Sequence, residues 1–311
     1  MILCCGESLI DMVPESGAYR PLAGGSVFNT ALALGRLGAQ TGYLWPISQD
    51  AFGPVLRAPL EEAGVDLSLA PSSPRLTTLA LVFLKNGNAT YSFYDEGTAG
   101  RMFSVSDLPA LPDTLDALFI GGISLIQDPC ASTVEELAQR AAKAGKVISL
   151  DLNIRPGFIS DEAGTRARYN RLLGIADIVK ISDEDAEWLF PDADPAATAV
   201  GLLDLGPKLI LRTHGSDGAT AIHASGQFSH PARKVTVADT IGAGDTFNAG
   251  LLAGLDRAGL LASLAETGAL SKPGLDAITE DQLRAALDLA AAAAAVTVSR
   301  PGANPPWRRE L

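Results

Sequence analysis

The segment DTIGAGDTFNAG (239–250) brings together features that phosphate chemistry uses jointly. Gly242, Ala243 and Gly244 are small enough for an anion to approach their backbone amides. Phe247, Leu251, Leu252 and Leu255 mark the buried side of a helix beginning near Asp245. The N-terminus of a helix offers free N–H groups and the positive end of its dipole. Two acids, Asp239 and Asp245, frame the glycines. A carboxylate beside an anion site is unfavourable unless it has work to do. The chemistry this suggests is phosphoryl transfer, in which the amides hold the transferring group while Asp245 takes the proton of the attacking hydroxyl. A plain glycine-rich turn with Asp245 as a helix-favouring acid accounts for the glycines but not for both aspartates.

Other chemistries fit less well. There is no G-x-x-x-x-G-K-[ST] segment and no G-x-G-x-x-G between an early strand and helix, which disfavours a P-loop enzyme and a dinucleotide-dependent oxidoreductase. A non-catalytic binding protein would not need an acid such as Asp245 beside its anion site. Cys4, Cys5 and Cys130 form no disulfide framework, as in a reducing compartment, and Cys4 and Cys5 read as core strand residues. His214, His223 and His230 lack metal-ligand spacing. The net charge of −12 argues against nucleic acid as partner. No apolar run approaches the ~20 residues that cross a bilayer, and MILCCGESLIDMVP has no leader-like pattern. The expectation is a cytoplasmic protein without membrane contact.

The elements that must position these residues alternate. Residues 2–5 are a short apolar run ending at Gly6, and LFIGGIS (118–124), VISLDLN (147–153), DIVKIS (177–182) and KLILRT (208–213) read as buried parallel strands. Helical stretches at 132–144, 161–173 and 184–190 lie between them. This is the pattern of a doubly wound α/β sheet with helices on both faces. SVFNTALALGRLG reads as a helix closed by Gly38, and Thr279 with Gln282 forms a capping box opening a last helix. Residues 79–84 and 90–95 read as a hairpin about Asn86-Gly87-Asn88. Segments 10–22 and 79–104 thus interrupt the first half as a β flap, a lid over the crevice. With 47% hydrophobic and 19% charged residues, the chain can build a sizeable core.

The chain resembles the ribokinase-like (PfkB) family of sugar kinases. DTIGAGDTF resembles the family's C-terminal signature and LAGGSVFNTALALGRLGAQTGYLWPISQDAFG (22–53) its N-terminal one, in the expected order. The likeness extends over essentially the whole chain. It implies one ribokinase-like domain over 1–311, with ATP and Mg2+ as cofactors and a small sugar as substrate. It assigns Asp11, Gly24, Gly25 and Asn29 to sugar binding. DLNIRP (151–156) resembles the family's D-P-N-x-R segment, so Arg155 is expected to face phosphate and Asn153 the transfer region. Lys180, Thr213, Gly215 and Gly218 join Gly242 and Gly244 in the nucleotide site, with the alanines 290–295 flanking the adenine.

SDED (182–185) aligns with the family's N-x-x-E motif, which organises magnesium largely through water. Ser182 stands for Asn and Asp185 for Glu, and Glu184 could share the role. Asp239, Ile241, Thr297, Arg300 and Gly302 align with a potassium loop, although Pro306 stands where ribokinases carry Ser. CGESLIDMVP, FYDEGTAGRM (93–102) and SRPGANPP (299–306) are most similar to the bacterial fructokinase branch, which implies phosphorylation of D-fructose to fructose 6-phosphate. 2-Keto-3-deoxygluconate and ribose are the alternatives, and Arg101 is the cation an acidic substrate would need. The resemblance also suggests a homodimer through the lid, whose sheet edges need cover.

Overall fold

A computed structural model describes residues 1–85, 88–262 and 273–311. In chain order, β1 (Ile2–Cys5) leads into β2 (Leu9–Glu15) and β3 (Ala18–Gly24), followed by α1 (Ser26–Arg36) and β4 (Thr41–Leu44). Two-residue strands β5 (Ile47–Ser48) and β6 (Ser72–Ser73) flank α2 (Gly53–Glu62). Next come β7 (Leu79–Lys85), β8 (Asn88–Tyr94), β9 (Ala117–Gly121), α3 (Cys130–Lys143), β10 (Val147–Asp151) and α4 (Glu162–Leu173). The C-terminal half holds β11 (Ile178–Ser182), α5 (Asp183–Leu189), α6 (Pro195–Gly201), β12 (Leu209–Thr213), β13 (Ala219–His223) and β14 (Gly226–His230). Helices α7 (Ala243–Arg257), α8 (Pro273–Asp276) and α9 (Glu280–Val298) complete it.

The main sheet has eight strands in the order β14-β13-β12-β11-β10-β9-β1-β4. It is parallel from β4 to β12, and β13 and β14 extend it antiparallel. The parallel strands are short apolar runs because helices cover both faces. Ile2, Leu3, Cys4 and Cys5 are all buried, as are Leu118, Phe119 and Ile120 in β9. The chain leaves β1 toward β4 on one side and returns to β9 on the other. Crevices at such reversals are where open α/β sheets bind ligands.

A second sheet of four strands, β3-β2-β7-β8, lies apart from the first, with β2 and β7 parallel. It is the expected flap, but its last strand ends at Tyr94. Residues beyond it fold back, burying Ala99 and Phe103. The expected Asn86-Gly87-Asn88 turn lies partly outside the described residues. Among the described residues, no helix is long and apolar enough to cross a membrane.

Local signals account for the helix ends. Gly38 has φ +82° just past α1 and ends it in the left-handed region. Thr279 and Gln282 form the reciprocal capping box at the start of α9. The alanines of α9 let it approach α7 closely. A Cβ on Gly250 would stand 2.5 Å from the Cα of Ala290, and one on Gly254 2.6 Å from the Cα of Ala286. In this structure Ala286 and Ala290 therefore serve helix packing against α7, the helix that carries Asp245.

Candidate active site

Asp245 lies in the first turn of α7, 8% exposed. The helix begins at Ala243, two residues earlier than the apolar spacing suggests, and Gly242 precedes it with φ +76°. That left-handed backbone suits glycine. A Cβ there would also press on Ala303, at 2.8 Å. The first amides of a helix have no partner inside it. Here the Ala243 N–H is taken up by the Thr240 carbonyl, three residues earlier and 3.3 Å away.

Two side chains of α1 reach across to the Asp245 carboxylate. Ser26 Oγ donates to Oδ1 at 2.9 Å and Asn29 Nδ2 donates to Oδ2 at 2.8 Å. Burial raises the pKa of Asp245 to about 6, against these hydrogen bonds, which favour the charged form. The nearby Asp151 charge raises it further, while Lys180 lowers it.

Below Asp245, at the carboxyl ends of the central strands, Asp151 and Lys180 are register partners on β10 and β11. Lys180 Nζ donates to Asp151 Oδ1 at 2.9 Å, and Asn248 Nδ2, one turn beyond Asp245, donates to Oδ2 at 3.3 Å. Both ions are buried. Burial raises the pKa of Asp151, and burial also opposes the Lys180 charge, but Asp151 and Asp185 outweigh it and hold the lysine above its ordinary value. Lys180 Nζ lies 3.6 Å from where a Cβ on Gly244 would stand, so a cation borders the glycine turn.

The residues expected to hold sugar meet at the flap. A Cβ on Gly24 would overlap the Asp11 carboxylate, and burial raises the pKa of Asp11 to about 6. Gly25 has φ +113°. Arg101 carries buried Nε and Nη1 atoms with no hydrogen-bond partner among the described residues.

Other expected residues stand further out. Arg155 is exposed and donates to the Ile154 carbonyl at 3.1 Å, so it does not join the Asp245 cluster. Asn153 has φ +38°, a strained setting for a non-glycine residue at a strand end. Asp185 closes a capping box with Ser182, and its two oxygens accept the N–H groups of Ile154 at 2.7 Å and Ser182 at 2.9 Å. Glu184 is exposed on the same turn. Thr213 ends β12, and Gly215 and Gly218 form its tight turn into β13. A side chain on Gly218 would strike the His230 carbonyl.

Asp239 ties the loop before α7 to the loop after α9. It accepts the Ile241 N–H at 3.0 Å and the Gly302 N–H at 2.8 Å. Thr297 is fully buried and donates to Thr246 Oγ1 at 3.0 Å, while Arg300 pairs with Glu310. Among the described residues no cluster of three or more His, Cys, Asp or Glu has metal-binding geometry.

Sequence reasoning did not single out Glu7, Ser26 or Asn248. Glu7 is an acid two residues past the end of a buried strand, and Asn248 lies three residues past Asp245 on the same helix. Both patterns were legible as polar residues on otherwise buried segments. The Ser26 contact had no such signal.

A doubly wound sheet with a four-stranded flap is the ribokinase-like architecture. The pfkB family carbohydrate kinase pattern matches residues 2–309, and the chain belongs to that family. A fructokinase of Rhizobium leguminosarum bv. trifolii is 50% identical over 84% of this chain and 81% of its own length. A fructokinase of Klebsiella pneumoniae is 32% identical over 86% of this chain and 89% of its own. Among solved structures, the ATP-bound fructokinase of Xylella fastidiosa superposes with a TM-score of 0.86 at 28% identity, covering 97% of this chain and 93% of that one.

Proposed function

We propose that this carbohydrate kinase transfers the γ-phosphoryl group of ATP to a primary hydroxyl of D-fructose, giving fructose 6-phosphate. The observation that carries the mechanism is Asp245, a buried carboxylate at a helix N-terminus, oriented by two donors and with its pKa raised to about 6. Such a group is ionised at neutral pH yet basic enough to take a hydroxyl proton. The sugar lies between the flap and α1, against Asp11, Gly24, Gly25 and Asn29. The Gly242 and Gly244 amides, with Lys180 alongside, stabilise the charge on the phosphoryl oxygens. Thr213, Gly215 and Gly218 border the nucleotide, and Arg155 and Asn153 complete the phosphate side.

Asp185 fits a role with magnesium through water. Each of its oxygens has accepted one N–H and keeps a lone pair for a water, and Glu184 adds a second carboxylate on that turn. When bound, magnesium neutralises charge on the ATP phosphates. The loop tied by Asp239, with Ile241, Thr297, Arg300 and Gly302, is the potassium candidate. The flap is the candidate dimer surface.

The fructose reading is supported by the fructokinase relatives of known sequence and structure. It is tested by coupled ADP release with D-fructose, 2-keto-3-deoxygluconate and ribose. Turnover should be highest on fructose, and none on fructose would sink the reading. The second reading, a keto-acid substrate, rests on Arg101 Nε and Nη1, buried with no hydrogen-bond partner among the described residues, which an acidic sugar would satisfy.

A further inference from the structure

Glu7 follows β1 and is 5% exposed. Its Oε1 accepts the Ser26 N–H at 3.1 Å and its Oε2 accepts the Ser124 N–H at 3.2 Å. Its carbonyl accepts the Phe28 N–H at 3.2 Å. Gly25 offers α1 no side-chain cap, so Glu7 caps that helix from a distant segment. Two glycines make room for it. A Cβ on Gly25 would meet the Glu7 carbonyl at 2.5 Å, and one on Gly122, at φ +64°, would overlap the Glu7 carboxylate. Packing alone gives no reason to bury a carboxylate here. Burial pushes its pKa to about 7, and the neighbouring Asp245 charge adds to the rise. What the carboxylate holds is the first turn of α1, the turn from which Ser26 and Asn29 reach Asp245.

We propose that Glu7 is a positioning residue for phosphoryl transfer: by capping α1 across the fold, it sets Ser26 and Asn29 where they orient the Asp245 carboxylate. This role rests on Asp245 being the general base. Both Glu7 oxygens are needed as acceptors. Glu7→Gln presents an NH2 group to one of the two N–H donors and loosens the turn. The charged groups facing Asp245 are Asp151, Lys180 and Glu7 itself. Beside Glu7, the Cys5 thiol and the Tyr43 hydroxyl are held neutral by burial.

The test is a double-mutant cycle on the full chain, with D-fructose and magnesium ATP as probes and ADP release as the readout. Glu7→Gln should lower kcat by about 10- to 100-fold, the scale of a small misplacement of catalytic groups, while KM for both substrates stays within about threefold. In a Ser26→Ala background the same change should cost several-fold less, because part of its route to Asp245 is gone. Ser26→Ala alone should move the acid limb of kcat/KM upward, since a donor to the ionised base is lost.

Wild-type kcat in Glu7→Gln, a loss carried by KM, or an equal loss with and without the Ser26 hydroxyl would overturn the proposal. If Glu7→Gln does not fold, Glu7→Asp keeps the charge but retracts it by one methylene and should show the same pattern. Asp245→Asn separates the two levels. If it retains turnover, the base reading falls and this role with it. If it is inactive while Glu7→Gln is not impaired, only the role of Glu7 falls.

Discussion

Asn29 Nδ2 on α1 lies 2.8 Å from Asp245 Oδ2 on α7, across 216 positions of sequence. The contact joins the two signature segments of the chain into one site. A residue expected to hold sugar also holds the residue expected to accept the proton. On the proposed reading, a sugar hydroxyl arriving at Asp245 meets an acceptor already fixed by a neighbouring donor.

Turnover should depend on Asp245 with a defined pH signature. Asp245→Asn should fold and lose roughly 100- to 10,000-fold in kcat, and the wild-type acid limb of kcat/KM should fall near pH 6. Stability runs the opposite way. The folded pKa is raised, so between ~4 and about 6 the folded state binds more protons than the unfolded one, and stability falls as pH rises through that window. Asp245→Asn should therefore be more stable than wild type at pH 7.5, by up to about 3 kcal/mol, and show no such gain at pH 4. Urea melts at the two pH values, with single-turnover rates, check both.

The buried Lys180–Asp151 pair should be far more sensitive to losing one partner than both. Lys180→Met leaves a carboxylate buried without its cation and should cost about 3–5 kcal/mol. Lys180→Met with Asp151→Asn should recover much of that loss. Equal urea midpoints for the single and double variants would contradict this account of the pair.

Helix packing behind the site predicts a contrast between glycines. Gly250→Ala drives a methyl into the α9 backbone, 2.5 Å from Ala290 Cα, and should destabilise by about 1–3 kcal/mol. Gly201→Ala, at the end of α6, meets open space and should be neutral or stabilising by up to about 1 kcal/mol. Thermal melting of the two variants distinguishes them directly.

The Asp239 tie should govern any monovalent-cation response. Potassium chloride in place of choline chloride should raise wild-type turnover, and Asp239→Ala, which frees the Ile241 and Gly302 amides, should remove the difference. A variant that keeps the full potassium response would show that the loop is held by other contacts.

Much was legible in the sequence alone because its signals are local. Apolar runs of strand length, glycines at helix ends, the Thr279 capping box and the glycine turn before Asp245 follow from periodicity and backbone preference, which act over a few residues. They determined a parallel α/β sheet with a flap and pointed to Asp245 as the base. The positions of Asp11, Gly24, Gly25 and Asn29 came from resemblance to the family. What only the tertiary structure decided is contact between distant segments. That Ser26 and Asn29 hold Asp245, that Glu7 caps α1, and that Lys180 neutralises Asp151 follow from which strands lie side by side. Residues far apart in sequence leave no local trace of being neighbours. The same reason explains Arg155 and the alanines of α9. Their residue types suit phosphate and a flat base. Folding leaves Arg155 exposed at its strand end, and it sets Ala286 and Ala290 against the glycines of α7, where close helix packing buries apolar surface that would otherwise face water.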